Sequence, residues 1–240
     1  MDENGDKICD SDKPLLTTTI QQTTTIPIQT TTTIEEPVDD SNYNYTLVVG
    51  STVDHFSFDD YVDGVLSGQD GWGGTTDDYA MDVQSEVHVG QSGKALVLND
   101  PKDDNKYHTH SLTPLQQLVY TVYMRREGDN ADTTTYIKDD GKDILAINYV
   151  DGHALKIGTK EDVIYNEIKT GRWYRIDIAI DCINDMVPWI RIDNITLAEN
   201  MHFPGGRTCN RIDNIRLAWN SKYNSDTYMD EIKVSKLIQK

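Results

Sequence analysis

Apolar and polar residues alternate with a period of two along most of the chain after residue 79, and Gly, Asn and Asp break the runs at short intervals. The clearest run is Arg172 to Cys182. There Tyr174, Ile176, Ile178, Ile180 and Cys182 share one face, and Arg175, Asp177 and Asp181 share the other. A strand of this kind buries one side, which places Tyr174 inward and Trp173 on the opposite sheet face. KALVLND, QLVYTVYMRRE, DILAINYV, ALKIGT and TYMDEIKV repeat the rhythm, and no long segment has a helical period. The pattern predicts an all-β fold and excludes a parallel α/β one. Within it, RIDNITLAEN from Arg191 and RIDNIRLAWN from Arg211 agree at eight of ten positions. This echo reads as two strands that meet the same half-buried environment.

The pattern is different at the N-terminus. Pro14 to Ile34 is a stretch of 21 residues, ten of them Thr and none charged. It has too few large side chains for a core of its own, while β-branched Thr and Ile favour extended backbone. A linker, an O-glycosylated stalk and a borrowed strand all fit this composition. As a donor strand in a neighbouring copy it would use Ile20, Ile26, Ile28 and Ile34 as anchors, with main-chain hydrogen bonds along an open sheet edge. Glu35, Glu36, Asp39 and Asp40 close the stretch. The expected organisation is an acidic and Thr-rich tail over residues 1–44 and one β-sandwich domain over residues 45–240.

Charge narrows the partners. With 22 Lys and Arg against 40 Asp and Glu, the chain carries a formal charge of -18 and repels phosphate backbones. Nucleic acid is therefore not an expected partner. No run is long and apolar enough to span a bilayer as a helix. Of three cysteines, Cys182 and Cys209 lie 27 residues apart among the strands and are expected to bridge in an oxidising compartment, with two buried thiols as the alternative. Cys9 lies in the acidic tail. Asn44-Tyr45-Thr46 and Asn194-Ile195-Thr196 match the N-glycosylation acceptor pattern.

Four stretches carry a resemblance. DHFSFDDYVDGVLSGQDGW (residues 54–72) resembles the opening strand and loop of the concanavalin A-like lectin and glucanase superfamily, which includes laminin G-like modules. SGKALVL (92–98) resembles its Gly-x-Leu strand, GRWYRIDIAID followed by WIRIDN its Trp-Tyr strand, and YMDEIKV (228–234) its closing strand. The resemblance runs over about residues 54–238, in the family's order. It implies a jelly roll of two antiparallel sheets packed face to face.

The glucanases of that superfamily carry a Glu-x-Asp-x-(x)-Glu strand, and this chain lacks one. Its glutamates between residues 79 and 200 are Glu86, Glu127, Glu161, Glu167 and Glu199, no two of them two or four positions apart. Asp177 and Asp181 have a suitable spacing, but lie on the stretch that matches the Trp-Tyr strand. A lyase would need a Tyr and His cluster, which only Tyr107, His108 and His110 supply; the two histidines also form a weak metal-binding pair. Sugar stacking would fall to exposed aromatics, and Trp72 and Trp189 are the candidates. Trp219 is in phase with Ile215 and Leu217, which points it at the core.

The resemblance also implies a structural calcium ion held by Asp230 of the closing strand and backbone carbonyls of Ser57 and Gly93, a mixed oxygen set that suits calcium. Together these features lead us to expect a non-catalytic extracellular structural or adhesive module, a filament subunit assembled through its N-terminal segment into a homo-polymer. A glycan-binding lectin domain and a polysaccharide hydrolase or lyase are the alternatives.

Overall fold

The computed structural model describes residues 47–74, 81–99, 106–128, 133–150, 154–158, 163–219 and 226–239. The chain divides into two units, residues 1–35 and 36–240, and every described residue belongs to the second. The anchors Ile20, Ile26, Ile28 and Ile34, together with Cys9 and Asn44, lie outside the described residues.

Strands account for nearly all the regular structure. The first eight are β1 (Leu47–Phe56), β2 (Gly64–Val65), β3 (Gly73–Gly74), β4 (Met81–Gln84), β5 (Ala95–Leu98), β6 (Lys106–Leu115), β7 (Gln117–Arg126) and β8 (Thr133–Asp139). The second eight are β9 (Lys142–Val150), β10 (Ala154–Ile157), β11 (Val163–Tyr165), β12 (Trp173–Asp181), β13 (Met186–Ile192), β14 (Ile195–His202), β15 (Ile212–Trp219) and β16 (Thr227–Gln239). The larger sheet has nine strands, ordered β14-β13-β12-β7-β16-β5-β4-β2 with β1 alongside β16. The smaller has seven, ordered β11-β10-β9-β8-β15-β6-β3. All pairings are antiparallel. This is the all-β fold that the alternation predicts and the jelly-roll sandwich that the resemblance implies.

The inner faces of both sheets supply the core. From β12 come Tyr174, Ile176, Ile178 and Ile180, and from β15 come Ile215, Leu217 and Trp219, all buried. Tyr174 keeps its polar end satisfied, because its hydroxyl donates to the Glu167 carbonyl (3.1 Å) and accepts from the Lys169 amide (2.8 Å). Thr133 and Thr135 reach across the sandwich, to Thr227 and Met229 respectively. The bridge between Cys182 and Cys209 has a Cα–Cα distance of 5.0 Å. It joins the end of a strand in the larger sheet to the segment that leads into β15 of the smaller.

Residues 57–72, which run from β1 to β3 and include the short β2, are held together by their own side chains. Gln69 accepts from the Val62 amide (2.7 Å) and donates to the carbonyls of Val62 (2.9 Å) and Val65 (2.7 Å). Tyr61 donates to Asp70 (2.9 Å) and accepts from the Trp72 indole (3.2 Å). Trp72 itself is 1% exposed, with its ring 5.6 Å from Phe56 and 5.1 Å from His110. The expectation that Trp72 stacks on sugars is therefore corrected: the GQDGW motif plugs the core.

The internal echo is also corrected. In the first copy Asp193 and Asn194 both have positive φ (50° and 66°) and make the tight turn between β13 and β14. In the second copy Asp213 and Asn214 lie within β15. One pentapeptide, RIDNI, thus adopts two conformations, because tertiary pairing overrides a local turn preference.

Candidate functional site

The outward face of the smaller sheet carries an open cavity built from polar and aromatic side chains. Because Thr133, Thr135 and Ile137 of β8 point inward, Thr134, Tyr136 and Lys138 point outward. On β15 the outward positions are Asn214, Arg216 and Ala218, and on β6 they are Tyr107, Thr109 and Ser111. Register sets them side by side: Arg216 lies opposite Thr109 on one flank and Tyr136 on the other. A trough of about 610 Å³ lies over part of this face, lined by Tyr107, Thr109, Ser111, Lys138, Asn214 and Arg216 together with Leu112, Pro114, Asp140, Gly141 and Asp213. Gly74 of β3 lets the edge strand close on β6, since a Cβ there would collide with the Tyr107 carbonyl.

Ionic contacts order the trough. The Arg216 guanidinium lies 4.2 Å from the Tyr136 ring centroid and 5.8 Å from that of Tyr107. Asp143 on β9 takes Lys138 at 2.9 Å and Arg216 at 3.4 Å, so one carboxylate is shared by two cations. Its carbonyl accepts from Arg207. At one end Asp213 accepts from the Asp140 amide (3.2 Å) and pairs with Arg211 (3.5 Å). Farther across the sheet Thr134 donates to Asn148 (2.8 Å). An aromatic-flanked strip of hydroxyl, amide, carboxylate and guanidinium groups can hydrogen-bond a polyhydroxylated chain along its length.

Sequence reasoning found only Tyr107 of this set. Arg216, Tyr136 and Lys138 were legible in principle, since alternation in TTTYIKD and IDNIRLAW puts them on one face, but nothing in the sequence pairs the strands that carry them. The cluster of Tyr107, His108 and His110 is divided by the same alternation. Tyr107 faces the trough, whereas His108 is 2% exposed and His110 packs on Phe56 at 4.5 Å. The Tyr–His lyase cluster and the His pair for a metal are corrected accordingly.

The outward face of the larger sheet corrects two further expectations. Trp189 is 3% exposed within an apolar group with Leu47, Val119, Ala179 and Leu237, and Arg191 covers its ring at 4.3 Å. It offers no platform for a sugar. Asp177 and Asp181 are buried too, and both are engaged: Thr121 (2.6 Å) and Arg175 (3.0 Å) hold Asp177. Asp181 accepts from the amides of Ile183 (2.9 Å) and Asn184 (3.2 Å) and from the side chain of Gln117 (3.0 Å), fixing the turn after β12.

The calcium candidates converge at a bulge in β16 between Asp230 and Lys233, where Glu231 has φ 51°. Asp230 accepts from the amides of Val89 (2.9 Å) and Glu231 (2.7 Å). Ser57 follows Phe56, which pairs with Ile232, and Gly93 lies against Asp59, whose carboxylate accepts from the Lys94 amide (2.9 Å). Burial raises the Asp230 pKa to about 7; the two amide bonds oppose this, and the charges of Glu231 and Asp59 add to it. A cation would relieve that setting, so the residues fit one. Among the described residues no group of three or more His, Cys, Asp or Glu side chains could hold a metal by itself. Asn194 is exposed in its turn. Also among the described residues, no helix is long and apolar enough to cross a membrane.

No protein-family model and no curated protein matches this sequence. Solved structures do resemble the fold. A sialidase superposes with a TM-score of 0.56 at 10% identity over 80% of this chain, which spans 19% of the sialidase. An alginate lyase matches with a TM-score of 0.55 at 12% identity, over 79% of this chain and 98% of that one. A carbohydrate esterase from the Shiga toxin-encoding bacteriophage phi24B gives 0.55 at 13% identity, over 79% and 99%. The chain thus shares a jelly-roll sandwich fold with solved proteins that are named for work on carbohydrates.

Proposed function

We propose that this chain is a non-catalytic extracellular module that binds a glycan in the trough on the smaller sheet. The observation that carries the reading is the trough itself, where Tyr107 and Arg216 lie amid hydrogen-bonding side chains and Arg216 is held against the Tyr136 ring. Solved proteins of the same fold are named as sialidase, alginate lyase and carbohydrate esterase, which supports a carbohydrate ligand over the filament reading. Binding is favoured over catalysis because the best-spaced acids, Asp177 and Asp181, are enclosed and hydrogen-bonded. The Cys182–Cys209 bridge favours an oxidising, extracellular compartment. A calcium ion at Asp230, with the Ser57 and Gly93 carbonyls, would serve structure only, since its strand belongs to the larger sheet.

A polysaccharide panel tests the proposal. Retention of the protein on at least one immobilised polymer, without release of reducing ends or unsaturated products, is the expected result. Retention that Arg216→Ala and Tyr107→Ala leave unchanged would move the site elsewhere, and cleavage would make the chain an enzyme.

A further inference from the structure

We infer that the trough is selective for acidic polysaccharides, with Arg216 and Lys138 receiving the carboxylates of uronate units; this rests on the glycan-binding reading above. The charge distribution points there. The whole chain carries -18, yet the outward strand positions of the smaller sheet place Lys138 and Arg216 side by side in the trough, both against the carboxylate of Asp143. Asp143 is divided between two cations and its Arg216 contact is long, at 3.4 Å, so the pair keeps a net positive charge. The two other acids that line the trough, Asp140 and Asp213, lie at one end, where Arg211 and a backbone amide already engage Asp213.

The Arg216 side chain is 26% exposed and is stacked on Tyr136, so its orientation is set before a ligand arrives. A planar, weakly hydrated guanidinium fixed in this way suits the fork of a carboxylate better than isolated hydroxyls. An acidic protein also repels polyanions at long range. Binding a polyuronate therefore needs local cations, and Arg216 and Lys138 are the two that line the trough.

The test compares polygalacturonate and alginate with the neutral polymers xylan and laminarin, using affinity electrophoresis and titration calorimetry on the full chain. The expected result is polyuronate binding at least about tenfold tighter than neutral binding, weakened by added sodium chloride. Arg216→Gln should lower polyuronate affinity by about tenfold or more and leave the melting temperature within a degree or two. Lys138→Gln, which removes the second cation of the trough, should lower it less. Equal affinity for neutral and acidic polymers, or insensitivity to salt and to both substitutions, overturns the selectivity while the glycan reading stands. Binding to none of the four polymers overturns the glycan reading and this inference together.

Discussion

On the outward face of the larger sheet, Trp189, Ala179, Val119, Leu47 and Leu237 form an apolar group no more than 5% exposed. On the outward face of the smaller sheet, Tyr107 is 41% exposed and the charged side chains sit around an open trough. Both faces are specified by the same period-two alternation, so alternation decides which way a side chain points and leaves open whether water reaches it. Chemistry separates them: large apolar groups in adjacent outward positions collect into a second cluster, whereas on the other face Tyr107 and Ser111 are exposed and Arg216 is part-exposed. The charged groups differ accordingly, with Asp177 and Asp181 inside a hydrogen-bonded layer and Arg216 in the trough.

Removing the largest side chain from the closed face gives the largest expected effect. Trp189→Ala should destabilise the protein by about 3–5 kcal/mol in urea or guanidinium unfolding, the range for a buried Trp replaced by Ala. A loss below about 1 kcal/mol would show that this face is not a second core. Opening the Cys182–Cys209 bridge comes next. The cross-link spans 27 residues, for which loop entropy gives about 3.5 kcal/mol. The Cys182→Ser, Cys209→Ser double variant should lose about that much, and an unchanged unfolding midpoint would mean the sheets do not depend on it.

Much of the fold was legible because side-chain period is a local property. Tyr174, Ile176, Ile178 and Trp219 face inward as alternation predicts. Trp72 was not legible as a core residue, since it lies in a loop and owes its burial to Phe56, His110 and Tyr61, contacts that bring together residues from 56 to 110. The trough was illegible for the same reason. Tyr107, Tyr136 and Arg216 come from β6, β8 and β15, and only the register that inserts β15 between the other two brings them together. The two RIDNI segments show the limit most directly, because an identical string turns at Asp193-Asn194 and runs straight through Asp213-Asn214.

A third contrast lies in how the two faces respond to pH and calcium. Asp230 has its pKa raised to about 7, chiefly by burial. A carboxyl whose folded pKa lies above its unfolded value stabilises the fold at low pH, and that contribution is lost as pH rises toward and through 7. Without calcium, wild-type stability should fall between pH 4 and 8 as this group ionises, and Asp230→Asn should flatten the profile. Calcium should restore stability at pH 8 to the wild type and do nothing for the variant. Superimposable pH profiles for the two proteins would refute the assignment, and equal melting curves with and without chelator would refute the ion. Neither treatment should move trough variants relative to wild type.

The smallest stability effect is expected on the open face, at Tyr107. Its ring is 41% exposed and its nearest described cationic partner, Arg216, lies 5.8 Å from the centroid, near the limit for such a contact. Truncation leaves no cavity because the ring fills none, so Tyr107→Ala should change stability by less than about 0.5 kcal/mol. Binding should respond in the opposite measure, because an exposed ring lining the trough beside Arg216 supplies apolar surface for a sugar face and its hydroxyl supplies one hydrogen bond. Tyr107→Phe separates these contributions. If stacking dominates, Phe keeps most of the affinity that Ala loses; if the hydroxyl dominates, Phe and Ala lose it equally. A Tyr107→Ala variant that unfolds with Trp189→Ala would erase the distinction between the faces, since the outward side of the smaller sheet would then be core as well.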